Sequence, residues 1–326
     1  MCRGGPLLAL LSLLSSAATA PAAARGYHEI EAQIEAAIDV DLEVIGPALL
    51  RLGWHSAATY SATEVPHGGT TGGATMRFEP ESGYEENRGL SLARDALRPI
   101  ADLHPEQSVS DLWVLGSYVA VWHMGGPRIA FTAGRVDAAA GGANCPPEAR
   151  LPAWNASAPA LRAGFARMGL GDRELVALMG AHSVGHTYPE NSGFPYKQWD
   201  NTPRRFDNAY YQLLLDSRWT EDYDDDDGEG KKEWFFNRSW IMLLSDYLLR
   251  EDAAFARIAR EYADDEQRWF ADFAAAFKKL TERGLTDGCP SKMDRRFSCP
   301  FAGKQAAGGG AVRLPAAHPP VLGAHR

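Results

Sequence analysis

Three side chains suited to catalysis, Arg51, Trp54 and His55, lie within five residues of one another. On an α-helix these positions share one face, because residues three and four apart stack one turn above another. Arginine supplies a permanent cation, and histidine supplies an acid or base that works near neutral pH. The spacing therefore favours a polar site on one helix face, although an exposed cation beside a partly buried aromatic pair has the same pattern.

His182 stands at the end of an apolar stripe. Leu175, Leu178 and Met179 precede it at helical spacing, which predicts a helix capped by Asp172 and extending to His182. A histidine on such a face is commonly a hydrogen-bonded core residue. Small residues around it would also let a flat, bulky group approach the backbone. These small residues are Gly180, Ala181, Ser183 and Gly185.

The segments that carry these residues resemble the motifs of class I haem peroxidases, the family that includes cytochrome c peroxidase and ascorbate peroxidase. Residues 51–55 resemble the distal motif, residues 134–137 and 150–152 a mid-chain signature, and residues 176–182 the proximal motif. The similarity extends from about residue 28 to residue 284. It implies a mainly α, two-lobed fold that holds haem b between a distal lobe, about 25–150, and a proximal lobe, about 151–285.

The resemblance implies a role for each position. His182 would be the axial ligand of the haem iron, with Arg51, Trp54 and His55 on the opposite side. Further residues match the family's distal Asn, its proximal Trp and the Asp bonded to both the axial His and that Trp. They are Asn87, Trp199 and Asp246. Taken singly, they would be a turn residue, a core indole and a helix cap.

These roles imply a peroxidase that reduces hydrogen peroxide to water through a ferryl intermediate and oxidises a one-electron donor. Further haem contacts are expected from ten residues: Pro152, Leu178, Met179, Ala181, His182, Gly185, His186, Thr187, Asn191 and Ser192. Ala153 stands where the family usually has Asp. A K⁺ or Ca²⁺ site is expected at Ser183, Asp200, Thr202 and Asp207. Arg204 and Arg205 nearby would oppose such a cation.

The electron donor is a separate question. Ascorbate peroxidases use an Arg and a Lys to bind ascorbate, and the matching residues here are Asn191 and Glu43. The absence of both cations, together with a net charge of −9, favours cytochrome c or another basic redox protein as donor. Ascorbate or a broad range of small reductants is the alternative.

A haem-binding sensor is the non-enzyme alternative. The negative charge argues against nucleic-acid binding by charge neutralisation.

Around these residues the sequence predicts a helical body. Apolar residues recur at helical spacing in segments 30–60, 110–124, 158–185, 206–216, 240–250 and 253–282. Strands are hard to find, and the acidic run at 222–227 is typical of a solvated loop.

The two ends of the chain differ from this body. A basic residue, an apolar run at 7–14 and an Ala-rich exit are typical of a signal or targeting peptide over residues 1–24. They favour secretion or an endomembrane or organelle lumen, with the mitochondrion or plastid as the alternative. The mature chain is not expected to span a membrane. Residues 286–326 are rich in Gly, Pro and Ala, which predicts a flexible tail where Cys289 and Cys299 could pair.

Overall fold

The computed structural model describes residues 22–224, 232–237 and 240–285. Within these ranges the chain is mainly helical, which confirms the fold class expected from the sequence. The helices are α1 (Ala22–Val40), α2 (Leu42–Ala58), α3 (Ser91–Leu103), α4 (Val109–His123), α5 (Ala158–Arg167), α6 (Asp172–Met179), α7 (Pro189–Ser192), α8 (Ala209–Asp216), α9 (Leu244–Glu251), α10 (Ala253–Asp264) and α11 (Glu266–Thr281). Helices α1 to α4 pack on one another, and α8, α9 and α11 pack around α10.

Helix α4 is the buried support of the first group. Ser108 caps it by accepting a hydrogen bond from the Asp111 amide at 3.0 Å, and nearly every following side chain is buried. Helix α2 lies against α4 so closely that a β-carbon on Gly53 would collide with the Ser117 side chain. This contact fixes the rotation of α2 and hence the direction of the side chains at 51 and 55.

The two mid-chain motif segments have structural roles. Buried Arg135 donates to Asp111 Oδ1 at 2.7 Å and to the Thr281 carbonyl at 2.7 Å, and so ties α4 to the end of α11. Arg150 donates to the carbonyls of Thr59 and Pro66 at 3.0 and 2.8 Å, just beyond α2. Both arginines hold distant segments together through buried polar groups.

The helix expected to extend to His182 ends earlier. Helix α6 stops at Met179, and a 3₁₀ turn, Gly180–Ser183, carries the histidine. The cap is also one residue earlier than expected, because Gly171 precedes the helix and its amide donates to Glu174 at 2.7 Å. Close packing accompanies the tighter turn, since a β-carbon on Gly180 would lie 2.8 Å from the Trp269 ring.

A small sheet was not anticipated from the sequence. Its strands are β1 (His186–Thr187), β2 (Lys197–Gln198), β3 (Thr220–Asp224), β4 (Lys232–Asn237) and β5 (Trp240–Leu243), in the order β1-β2-β5-β4-β3. The helix expected from residue 240 therefore begins only at Leu244. Part of the acidic run, 222–224, lies in β3, so the expectation of a loop was wrong there; residues 225–227 are outside the described ranges.

Both ends of the chain fall largely outside the structure described. Of the expected signal or targeting peptide, only residues 22–24 are described, at the start of α1. The tail, 286–326, lies outside, with Cys289 and Cys299. Among the described residues, no helix combines the length and apolar character needed to cross a membrane.

Candidate active site

The distal cluster is built on α2, where Arg51 and His55 share a face as expected. His55 Nδ1 lies 3.0 Å from Asn87 Oδ1, and Asn87 Nδ2 donates to the Glu81 carbonyl at 2.9 Å. The second bond identifies which end of the amide is the oxygen, so His55 must donate from Nδ1. Its Nε2 is then the basic nitrogen.

Burial makes His55 a neutral base. Its side chain is 8 % exposed, and this burial, reinforced by the Arg51 cation, holds its pKa well below 6.5 despite the opposing bond to Asn87. Neutral imidazole therefore predominates at physiological pH. A proton acceptor in this state needs no prior deprotonation.

Arg51 is held by the backbone that flanks Asn87. Its guanidinium donates to the Arg88 carbonyl at 2.7 Å and to the Glu86 carbonyl at 2.8 Å. Burial lowers its pKa to about 10, so it remains a cation near neutral pH. Trp54, on the same helix, is half-buried with its ring 5.7 Å from that of Phe165. The structure thus brings the four expected distal residues together.

The proximal cluster surrounds His182. Its Nδ1 lies 2.8 Å from Asp246 Oδ1, and the Trp199 ring stacks on it with centroids 3.9 Å apart and planes 2° apart. Donation from Nδ1 to a carboxylate leaves Nε2 as a lone-pair donor, and no hydrogen bond within the described ranges occupies that atom. His182 can therefore ligate a metal.

Asp246 is fully buried and accepts three hydrogen bonds. Besides His182, the Tyr210 hydroxyl donates to Oδ1 at 2.8 Å and the Leu243 amide donates to Oδ2 at 2.9 Å. The alternative reading of Asp246 as a helix cap is thus also correct. The implied bond from the Trp199 indole is not among the hydrogen bonds of the described residues, where Trp199 contacts His182 by stacking.

Two glycine contacts join the clusters. A β-carbon on Gly185 would lie 2.8 Å from Pro47 of α2, and one on Gly89 would lie 2.6 Å from the Asn191 amide. Both glycines have positive φ, which other residues rarely adopt. The segment after His182, including α7, therefore contacts the distal half one turn before Arg51 and beside Asn87.

The remaining expected haem contacts lie on the segments that flank His182. Leu178 and Met179 end α6, Ala181 is in the 3₁₀ turn, Gly185, His186 and Thr187 follow it, Asn191 and Ser192 end α7, and Pro152 is half-buried in the loop before α5. The hydroxyl of Thr187 donates a hydrogen bond to the Pro195 carbonyl, and the hydroxyl of Ser192 donates one to the Tyr188 carbonyl.

His186 lies in strand β1, which follows the turn that carries His182. Its side chain is only 5 % exposed, and its Nδ1 makes no hydrogen bond of normal distance and angle within the described ranges. Its Nε2 lies 3.5 Å from Glu43, which Arg204 also contacts at 2.5 Å. Burial lowers the pKa of His186, so the ring is neutral, and an Nε2–H directed at the Glu43 carboxylate leaves Nδ1 as an acceptor. An iron porphyrin fits His182, whose Nε2 is a lone-pair donor, whereas His186 would donate to a porphyrin propionate only with its proton moved from Nε2 to Nδ1.

The expected cation residues also cluster. Thr202 Oγ1 lies 3.1 Å from Asp200 Oδ1 and 3.0 Å from Asp207 Oδ1. Ser183 Oγ and Asp200 Oδ2 are buried without a hydrogen-bond partner in the described ranges. Burial raises the pKa of Asp200 to about 7, although the Thr202 amide opposes the shift. Arg204 is directed to Glu43, whereas Arg205 lies 3.4 Å from Asp207.

Sequence reasoning missed Glu81 and Tyr210. Glu81 orients Asn87 through its backbone, which no side-chain pattern reveals, and its carboxyl is buried with a raised pKa. Tyr210 is fully buried within the apolar stripe of α8 and has the pattern of a core residue. Its distance in sequence from Asp246 hides their contact.

Comparisons with known proteins agree with this geometry. The peroxidase family model matches residues 30–265. A mitochondrial cytochrome c peroxidase of Pyricularia oryzae is 41 % identical over 79 % of this chain and 70 % of its own length. A relative in that species, named as a heme-binding peroxidase, is 43 % identical over 76 % of this chain and 82 % of its own. The mitochondrial cytochrome c peroxidase of Neurospora crassa is 40 % identical over 79 % of this chain and 70 % of its own. The chain therefore belongs to the peroxidase family, haem enzymes that act on hydrogen peroxide.

Proposed function

We propose that this peroxidase holds haem b between His55 and His182 and takes its electrons from cytochrome c or another basic redox protein. One observation carries the proposal: the two histidines have different partners. His55 donates to a neutral amide, whereas His182 donates to a buried carboxylate. The first arrangement suits a proton carrier and the second suits a metal ligand.

The distal residues would move one proton. The haem supplies, when bound, the iron that takes up peroxide and the electrons that reduce it. His55 Nε2 accepts the proton of the inner peroxide oxygen and returns it to the outer oxygen, which then leaves as water. Asn87 keeps the ring in the required tautomer. Arg51 stabilises the negative charge on the leaving oxygen. It does so either with the N–H groups that do not bond the carbonyls of residues 86 and 88, or after it leaves those carbonyls.

The proximal residues would set the electron supply. The Asp246 carboxylate draws the Nδ1 proton of His182 and makes the imidazole a stronger electron donor. Trp199 stacks on that imidazole, and we assign it the transfer of single electrons from a protein donor. Asp246 contributes negative charge near the indole, which favours its oxidised form.

The donor assignment rests on charge and on missing cations. The chain has a net charge of −9, and Asn191 and Glu43 stand where ascorbate peroxidases have cations. Glu43 is moreover engaged by Arg204 and His186. Relatives named mitochondrial cytochrome c peroxidase support cytochrome c as the donor, and they favour the mitochondrial alternative over secretion for residues 1–24.

We also propose a cation beside the proximal cluster. Ser183 Oγ and Asp200 Oδ2 are buried and have no hydrogen-bond partner among the described residues, which leaves both oxygens available to a cation. Hard oxygen ligands suit K⁺ or Ca²⁺, and two carboxylates, Asp200 and Asp207, favour the divalent ion. A bound cation would keep Asp200 ionised despite its burial.

The experiment that tests the proposed function substitutes one residue in the distal cluster and one in the proximal cluster. His55→Leu is expected to slow the spectral change on mixing with one equivalent of peroxide by about 10²- to 10⁴-fold. Trp199→Phe is expected to leave that step nearly unchanged and to slow the return to the resting spectrum with reduced cytochrome c. Stopped-flow absorbance measures both steps. His67→Leu is the matched control, because His67 is exposed and its side chain bonds just the Ser61 carbonyl within the described ranges.

Equal slowing of the peroxide step in both variants would contradict the division of roles. A faster return with ascorbate than with cytochrome c in the unaltered enzyme would contradict the donor assignment.

A further inference from the structure

The Tyr210 hydroxyl has a position that the peroxidase assignment does not explain. It donates to Asp246 Oδ1 at 2.8 Å, the same oxygen that accepts from His182 Nδ1 at 2.8 Å. Among the residues that the structure describes, the other oxygen of Asp246 accepts only the Leu243 amide, at 2.9 Å. Tyr210 therefore shares an acceptor with the axial-ligand candidate, although a second oxygen of the same carboxylate is less occupied.

This sharing has a direct electrostatic consequence. A carboxylate oxygen that accepts two hydrogen bonds has less electron density to offer each donor. Tyr210 and Asp246 are both fully buried, so water does not compensate for a change in either bond. The Tyr210 bond must therefore weaken the attraction of Asp246 for the Nδ1 proton of His182.

We propose that Tyr210 is a positioning residue that limits the imidazolate character of His182 and thereby raises the reduction potential of the bound haem iron. The proposal rests on the proposed function through the role of His182 as axial ligand. A more anionic imidazole stabilises ferric over ferrous iron, and a residue that opposes this makes the iron easier to reduce. Tyr210 would act entirely through Asp246.

The neighbouring residue supplies a matched control. Tyr211 is also fully buried, and its ring centroid lies 5.1 Å from that of Tyr210. Its hydroxyl, however, donates to the Val176 carbonyl at 2.7 Å and forms no hydrogen bond to Asp246. Tyr210→Phe and Tyr211→Phe therefore remove the same group at the same depth, and only the first touches the shared oxygen.

The experiment compares holoenzymes of the two variants with the unaltered protein. Spectroelectrochemistry measures the ferric/ferrous potential, and resonance Raman spectroscopy of the ferrous state measures the iron–imidazole stretching frequency. For Tyr210→Phe we expect a lower potential and a higher stretching frequency. For Tyr211→Phe, whose hydroxyl packs on Gly180 in the turn that carries His182 but forms no hydrogen bond to Asp246, we expect the potential to stay unchanged. A general loosening of the core would instead shift both variants together.

An unchanged or raised potential in Tyr210→Phe, or equal shifts in the two variants, would overturn the proposal. Its failure is distinguishable from failure of the proposed function. If His182→Ala still binds haem with an unchanged iron–imidazole band, the axial-ligand assignment is wrong. If that band is lost in His182→Ala and Tyr210→Phe leaves the potential unmoved, only the role of Tyr210 is wrong.

Discussion

At the scale of single residues, a backbone carbonyl determines the chemistry of a histidine. The Glu81 carbonyl fixes the Asn87 amide, the amide oxygen takes the Nδ1 proton of His55, and Nε2 is left as the base. The motif residues Arg51, His55 and His182 were identifiable from sequence because their chemistry is visible in their side chains. Glu81 was not, because it acts through a group that every residue has.

Two substitutions at Asn87 are expected to shift the pH dependence in opposite directions. The bond to Asn87 raises the pKa of His55, so Asn87→Leu should lower that pKa further, whereas a carboxylate in Asn87→Asp should raise it. In the proposed mechanism, the peroxide reaction needs neutral His55 and is lost as pH falls through this pKa. Its acid limb, well below 6.5 in the unaltered enzyme, should therefore move down in Asn87→Leu and up in Asn87→Asp.

The measurement is the rate constant of the peroxide reaction between about pH 4 and pH 8. Asn87→Leu should also be slower at every pH, because the ring loses its fixed tautomer. If the acid limb of the rate profile fell at the same pH in all three proteins, a group other than His55 would control it.

At the scale of elements, a 3₁₀ turn carries the metal-ligand candidate. The spacing of Leu175, Leu178 and Met179 predicted helix α6, but periodicity alone continued it to His182. Close packing of Gly180 against Tyr211 and Trp269 accompanies the tighter turn, and these contacts come from residues distant in sequence. Strand β5 was missed for a similar reason. Four apolar residues, Trp240–Leu243, cannot be told from the start of a helix until their partners in β4 are known.

A pair of glycine substitutions tests the importance of this turn. Gly180→Ala would drive a β-carbon into the Tyr211 hydroxyl and the Trp269 ring. We expect a loss of about 1–3 kcal/mol in the free energy of unfolding, together with a disturbed iron–imidazole band. Gly72→Ala is the control, because its β-carbon would meet nothing within 4 Å and its φ is not positive. Urea unfolding measures the free energy of unfolding of both variants. Equal losses in the two variants would contradict the role of packing at residue 180.

At the scale of the whole molecule, a few contacts between distant segments hold the helices and the two histidine clusters together. Arg135 joins α4 to the end of α11, and the glycine contacts at 89 and 185 join the histidine clusters. The overall helical class and the two sets of site residues could be predicted from sequence. The contacts that join them could not, because the Arg135–Thr281 bond and both glycine contacts pair common residue types more than a hundred positions apart.

The net charge of −9 predicts a salt dependence. Electrostatic attraction of a basic donor weakens as the Debye length falls from about 10 Å at 0.1 M to about 3 Å at 1 M salt. We expect kcat/KM for reduced cytochrome c to fall steeply over this range. A neutral phenol, oxidised by the same enzyme, should be nearly unaffected and serves as control. Parallel curves for the two donors would contradict steering by charge.

Asp246 serves two purposes with two oxygens. One accepts from His182 and Tyr210, and the other accepts the Leu243 amide at the start of α9. A library selected only for resistance to heat would therefore retain this carboxylate, because losing it would fray a helix even in a chain that never met peroxide. Directed evolution of this enzyme for durability should accordingly preserve the partner of its proposed axial ligand without any screen for turnover.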